Sequence, residues 1–184
     1  MTALAVALLL AAPTSTVRLR ESGSALVGSP APIFGGWDLA GRRVLTLEGL
    51  RRTPYLAPLL ITFGASWCKP FAEGVPRLKK FSTLHPEVRL VFIDVENDAA
   101  RAQAFAARAG IDWPAILDKL EQIARSYGVA GEDKTQLPRS FLVDAGGKVR
   151  AIYGLEGDDF LKALEMDVEQ AKVFPQPDVP VKRD

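Results

Sequence analysis

The sequence predicts an α/β domain, a three-layer sandwich with a mixed central sheet and helices on both faces. Three observations predict it. Two apolar runs, 58–63 and 88–95, read as core strands, and each precedes a segment with apolar residues at helical spacing. Further on, 140–143 and 148–153 flank Asp144-Ala145-Gly146-Gly147, a hairpin signal. A last helical pattern starts at Asp158, with Phe160, Leu161, Leu164 and Val168 on one face. Strands alternating with helices, then a hairpin and a helix, bury a sheet between two helical layers.

Composition narrows the function classes. The chain has 184 residues, 48% hydrophobic and 24% charged, which suits one folded domain with tails. The 23 basic and 22 acidic residues balance to +1, which argues against a nucleic-acid partner. One cysteine excludes an intrachain disulfide, and one cysteine with one histidine gives no zinc-ligand set. No metal and no cofactor are expected.

Taken in order, residues 3–12 are an apolar Ala/Leu run of about ten, the length of a signal-peptide core and short of a ~20-residue membrane span. Residues 1–13 are therefore read as an export signal or weak membrane tether, which implies an extracytoplasmic location. Residues 14–27 read as a polar linker, 28–171 as the folded domain and 172–184 as a loose Pro-rich tail. Pro30 and Pro32 hold 28–34 extended. Asp38-Leu39-Ala40-Gly41-Arg42 reads as a turn and 44–47 as a short strand. The 58–63 run lacks polar alternation, so both its faces should be buried.

The chain is organised around residues 61–78. Gly64-Ala65-Ser66 makes a turn, Trp67 and Cys68 come next, and Lys69-Pro70 opens a helix. Phe71, Val75 and Leu78 give that helix its apolar face, and Pro76 should kink it. Cys68 then stands at a helix N-terminus, where unpaired N–H groups and the dipole stabilise a thiolate. A partly exposed, activated thiol is expected; an inert inherited thiol is the competing reading. Asp98 caps the next helix, with Ala102, Phe105, Ala106 and Ala109 inward and Gly110 ending it. Residues 113–117 are extended. Leu120, Ile123, Ala124 and Tyr127 mark a helix closed by Gly128. Trp37 and Trp113 are read as packing residues, His85 as a solvated helix-end residue. Asp94, Glu96, Asn97 and Asp98 read as a solvated, capped turn.

Several motifs then fall into one order: G-S-P-A-P-x-F at 28–34, D-L-x-G-R at 38–42, A-S-W-C-K-P at 65–70, P-x-L at 76–78 and L-P-R-S-F-L-V-D-A-x-G at 137–147. Together they resemble TlpA/ResA-type proteins of the thioredoxin superfamily over about residues 28–170. The resemblance implies a thioredoxin-like sandwich and thiol-disulfide exchange outside the cytoplasm. It implies that Cys68 is the nucleophile, that Trp67 covers it and that Pro138 is a cis-proline facing it. Lys69, Pro70, Leu137 and Arg139 would then border a substrate groove; Arg139 itself reads as a solvated arginine, and a charge beside the thiol that favours the thiolate is the competing reading.

Three departures qualify the resemblance. Phe71 stands where the family has its second, resolving cysteine, so a dithiol cycle within one chain is chemically excluded. Gly74 stands where these proteins carry a glutamate. Insertions lengthen 55–58 and about six residues around 132–136. A peroxidatic site is not matched either, because the P-x-x-x-T-x-x-C frame is absent. Two readings remain open: single-thiol exchange at Cys68 with a protein thiol or disulfide, and a redox-silent module that binds an extended polypeptide. A lone cysteine also allows a disulfide-linked dimer.

Overall fold

In the computed structural model, which describes residues 18–52, 56–132, 134–154 and 158–173, the apolar run after Pro58 becomes the middle of a sheet. In chain order the elements are β1 (Arg18–Leu19), β2 (Glu21–Ser22), β3 (Ala25–Leu26), β4 (Gly35–Trp37), β5 (Val44–Thr46), α1 (Leu47–Arg52) and β6 (Leu59–Gly64). After these come α2 (Lys69–Leu84), β7 (Arg89–Asp94), α3 (Ala99–Ala109), β8 (Ala115–Leu117), α4 (Gln122–Ser126), β9 (Arg139–Val143), β10 (Val149–Tyr153) and α5 (Asp158–Val173). Six strands form one mixed sheet in the order β1-β10-β9-β6-β7-β8. β6, β7 and β8 are parallel, joined through α2 and α3. β9, β10 and β1 add antiparallel on the other side of β6.

Every residue of β6 is buried, as its unbroken apolar run requires. Alternation sends Leu59, Ile61 and Phe63 to one face, where they pack with Leu47, Ile123 and Tyr127. Leu60 faces the other way, with Phe71, Leu78, Phe105 and Leu164 from α2, α3 and α5. The two apolar clusters are the interfaces of a thioredoxin-like three-layer sandwich.

Local chemistry sets the element ends. The Asp98 carboxylate accepts from the N–H groups of Ala100 and Arg101, and Gly110 closes α3 at a φ of 64°. Asp118 accepts the Ala124 N–H at 2.7 Å and so satisfies the first turn of α4. Gly147 supplies the φ of 88° that the β9–β10 turn needs, and Arg51 of α1 donates to the Ala145 carbonyl in the same turn.

Four expectations need correction. The linker reading of 14–27 fails from Arg18 onward: β1 extends the sheet, and Arg18 Nε donates to Asp167 of α5 at 2.9 Å, an acid that Tyr153 also holds at 2.8 Å. Leu47 begins a helix rather than ending a strand, because the Thr46 hydroxyl accepts the Gly49 N–H and turns the chain. Leu120 is 70% exposed and outside α4, which is a short helix between Asp118 and Tyr127. α5 runs to Val173, so the first two residues read as tail are helical. α2 continues through Pro76. The export segment 1–13, Tyr55 of the first insertion, Asp133 of the second and 174–184 of the tail lie outside the described residues. No helix among the described residues is long and apolar enough to cross a membrane.

Candidate functional site

The carboxyl ends of β6 and β7 and the amino end of β9 meet at one rim of the sheet, since Gly64 pairs with Asp94 and Phe63 with Arg139. Crevices at such strand ends are where open α/β sheets place ligands. After Gly64 the chain turns, with the Cys68 N–H donating to the Ala65 carbonyl at 3.0 Å. Cys68 is the N-cap of α2: its backbone is extended, and its carbonyl accepts the Ala72 N–H at 3.1 Å. Pro70 occupies the first turn, where it displaces no hydrogen bond. The thiol therefore sits at the positive end of a 16-residue helix.

That thiol is more enclosed than the sequence suggested. Cys68 is 5% exposed, whereas a partly exposed thiol was expected. The difference arises because Cys68 belongs to the apolar cluster of Phe71, Val75 and Leu78, so its side chain is drawn inward with theirs. Its neighbours form the surface: Trp67 is 57% exposed, Lys69 and Pro70 are exposed, and Lys69 pairs with Glu73 at 3.6 Å.

The Leu137–Pro138 bond is cis. Pro138 is buried, and Leu137 packs against both apolar clusters, that of Cys68 included. Arg139 does not join them. It shares a face of β9 with Phe141 and Val143, away from the α2 side, and is 9% exposed. Its guanidinium donates to Ser22 Oγ at 2.9 Å and Gln136 Oε1 at 2.5 Å, and burial pushes its pKa down. Arg139, expected in solvent or exposed near the thiol, is thus a buried strut between β9 and β2.

Phe71 is wholly buried. Its ring stacks on Phe92 at 4.8 Å and approaches Phe105 at 6.1 Å. It also lies against the backbone of Gly64, where an added Cβ would come within 2.4 Å of the ring. Gly64 is the space in which this side chain fits.

The acidic turn also departs from its expectation. Asp94 is 0% exposed and Glu96 3% exposed; the solvated turn begins only at Asn97. Asp94 Oδ1 accepts the Glu96 N–H at 3.0 Å, while Asp94 Oδ2 and Glu96 Oε2 have no hydrogen-bond partner among the described residues. His85 stacks on Phe81 at 4.7 Å and contacts Glu87 at 3.3 Å, so it is packed rather than solvated. Trp37, read as a packing residue, is 58% exposed.

The AhpC/TSA family pattern matches residues 27–152, more than half of the chain. The chain belongs to the AhpC/TSA family. This AhpC/TSA member is 30% identical over 135 residues to the thiol-disulfide oxidoreductase ResA of Geobacillus thermodenitrificans, covering 72% of this chain and 71% of that protein. It is 28% identical over 151 residues to a thiol:disulfide interchange protein DsbE homolog of Paracoccus denitrificans, covering 80% and 78%. Among solved structures, a thiol:disulfide interchange protein from a Bacteroides species superposes with a TM-score of 0.65 at 24% identity, covering 82% of this chain and 95% of that one. The TlpA/ResA-like thioredoxin fold read from the motifs is thereby shown.

The signal for Asp94 and Glu96 in this AhpC/TSA member was faint. A carboxylate at the end of an apolar strand usually caps a turn in water, but Asp94 pairs with Gly64 of β6 on one side and Leu117 of β8 on the other and is buried. No group of three or more His, Cys, Asp or Glu among the described residues could hold a metal ion.

Burial pushes the Asp94 carboxyl up to about 7, helped by the charge of Glu96 and opposed by the Glu96 N–H bond. The folded value lies above the unfolded value of ~3.9, so between the two the native state binds more protons. Stability should therefore fall as pH rises from about 4 to about 7 and level off above. Asp94→Asn removes this fall. Urea midpoints of native chain and variant, measured across that window, should converge at the acid end and diverge in favour of the variant at neutral pH. Parallel curves would refute the assignment.

Proposed function

We propose that this protein is an extracytoplasmic thiol-disulfide oxidoreductase restricted to single-thiol exchange at Cys68. The observation that supports it is the placement of one thiol at the N-terminus of α2, at the sheet rim that also carries the cis Leu137–Pro138 bond, in a chain whose relatives are named thiol-disulfide oxidoreductases. Cys68 thiolate attacks a substrate disulfide, its Sγ joins one substrate sulfur, and the other sulfur leaves as thiolate. In the family resemblance the resolving position is Phe71. A buried phenyl ring cannot supply the second thiol, so the mixed disulfide persists until an external thiol attacks it. Trp67 shields the adduct, and Leu137, Pro138, Lys69 and Pro70 border the substrate chain. The apolar run 3–12 supports export or a tether, and a lone cysteine in each chain is compatible with a disulfide-linked dimer.

A second reading has one observation in its favour. Cys68 is 5% exposed, which suits a redox-silent module whose rim holds an extended polypeptide by strand-like pairing. One experiment separates the two. The reduced native chain is incubated with a disulfide-bearing model peptide and resolved on a non-reducing gel. Single-thiol exchange predicts a one-to-one covalent adduct that is stable until a small thiol is added and absent in Cys68→Ser. If peptide binding survives in Cys68→Ser and no adduct forms in the native chain, the redox reading fails and the binding module stands.

A further inference from the structure

A groove of about 590 Å³ opens beside Trp67, the residue next to Cys68. Its walls carry Trp67, Glu96, Arg101, Lys119, Leu120 and Arg125. Two polar features in it are unmatched. Glu96, in the groove wall, is 3% exposed, and its Oε2 atom, itself enclosed, has no hydrogen-bond partner among the described residues. Its other oxygen lies 3.6 Å from Arg101 Nη1. Lys119, across the groove on the β8–α4 connection, is exposed and makes no ion pair among the described residues. Arg125 stands near it, 3.6 Å from Glu121. A buried, under-satisfied carboxylate oxygen attracts a cationic N–H donor, and the spare lysine attracts an anion. Trp67 and Leu120, 57% and 70% exposed, offer the apolar floor between them.

Resting on the single-thiol reading above, we propose that this groove binds the resolving co-substrate, a small zwitterionic thiol carrying both an ammonium and a carboxylate group. On binding, the Glu96 carboxylate turns Oε2 into the groove to accept the ammonium, the ligand carboxylate faces Lys119 and Arg125, and its carbon chain lies along Trp67. The thiol is delivered next to Cys68. Its thiolate attacks Cys68 Sγ in the mixed disulfide; the bond to the substrate sulfur breaks, and the substrate leaves as a thiolate that takes up a solvent proton. A second molecule of the small thiol attacks the new adduct, releasing the small disulfide and restoring the Cys68 thiolate. Per cycle one protein disulfide gains two electrons and two protons, and two small thiols are joined as one disulfide.

The test uses the full chain with Cys68 loaded with a thionitrobenzoate group, whose release is followed by its colour. Four thiols are compared after correction for thiolate fraction: cysteine (zwitterion), cysteamine (cation), mercaptopropionate (anion) and mercaptoethanol (neutral). Cysteine should outpace mercaptoethanol by about ten-fold, one charge-assisted hydrogen bond's worth. Glu96→Gln and, independently, Lys119→Ala should each lower that ratio several-fold. Equal corrected rates, or a ratio unchanged in both variants, overturn the proposal. Calorimetry of S-methylcysteine on the Cys68→Ser chain separates this failure from failure of the redox reading. Binding there that Lys119→Ala weakens supports the groove even if the native thiol never loads. No heat at millimolar ligand overturns it.

Discussion

Phe71→Ala is expected to lower stability by about 3–5 kcal/mol, the range for deleting a buried aromatic ring. The ring is 0% exposed and stacked on Phe92, so little around it can collapse into the space. Gly64→Ala should itself cost about 2–3 kcal/mol, because a Cβ placed 2.4 Å from the ring forces either the strand or the ring to move. The two changes should not add. Once the ring is gone, the alanine methyl at 64 enters vacated space, and the double variant should be no less stable than Phe71→Ala alone. A urea-unfolding cycle reads this as a coupling of about 2 kcal/mol or more. Additivity within about 0.5 kcal/mol would show that the ring does not rest on Gly64.

Phe71→Cys has the largest expected effect on activity. It places a second thiol three residues after Cys68, in the first turn of α2. Under the proposed function the mixed disulfide can then be resolved within the chain, giving an oxidised form with a Cys68–71 disulfide and releasing reduced substrate. Insulin reduction with a dithiol reductant should rise by at least about ten-fold over the native chain, since each turnover no longer waits for an external thiol. The variant should also be less stable when reduced, by about 2–4 kcal/mol, because a small side chain leaves a cavity beside Phe92 and Phe105. A folded variant with two titratable thiols and no gain in insulin reduction would mean that position 71 is not what limits turnover.

The helical and strand periodicities carried most of the architecture. The apolar face of α2, the Asp98 cap and the Gly110 stop were legible because each rests on residues close in sequence. What stayed hidden depends on distant neighbours. β1, β2 and β3 are two residues long each, too short for a period; β1 forms against the distant Tyr153 and Ile152, while β2 and β3 pair locally with each other. Glu96 reads as solvated, yet the turn beside Cys68 and the segment after β8 enclose it. Arg139 carried a usable signal: it alternates in register with Phe141 and Val143, which places it on the sheet face away from α2. Proximity to Pro138 in sequence obscured that. The depth of Cys68 was not legible in this way, since Lys69 and Pro70, nearer still to the apolar face that begins at Phe71, are exposed.

The pairing of β6 has a consequence for synthesis. One of its edges is met by β7, which comes within one helix, but the other waits for β9, with Leu59 opposite Val143. As the chain emerges, the Leu59–Gly64 strand therefore exists for most of the domain's translation with one row of backbone donors and acceptors unmatched and apolar side chains on both faces. Such an edge templates pairing with other chains. A nascent chain halted between β8 and β9 should be the most aggregation-prone length, and one that a holding chaperone would occupy until residue 143 has cleared the ribosome.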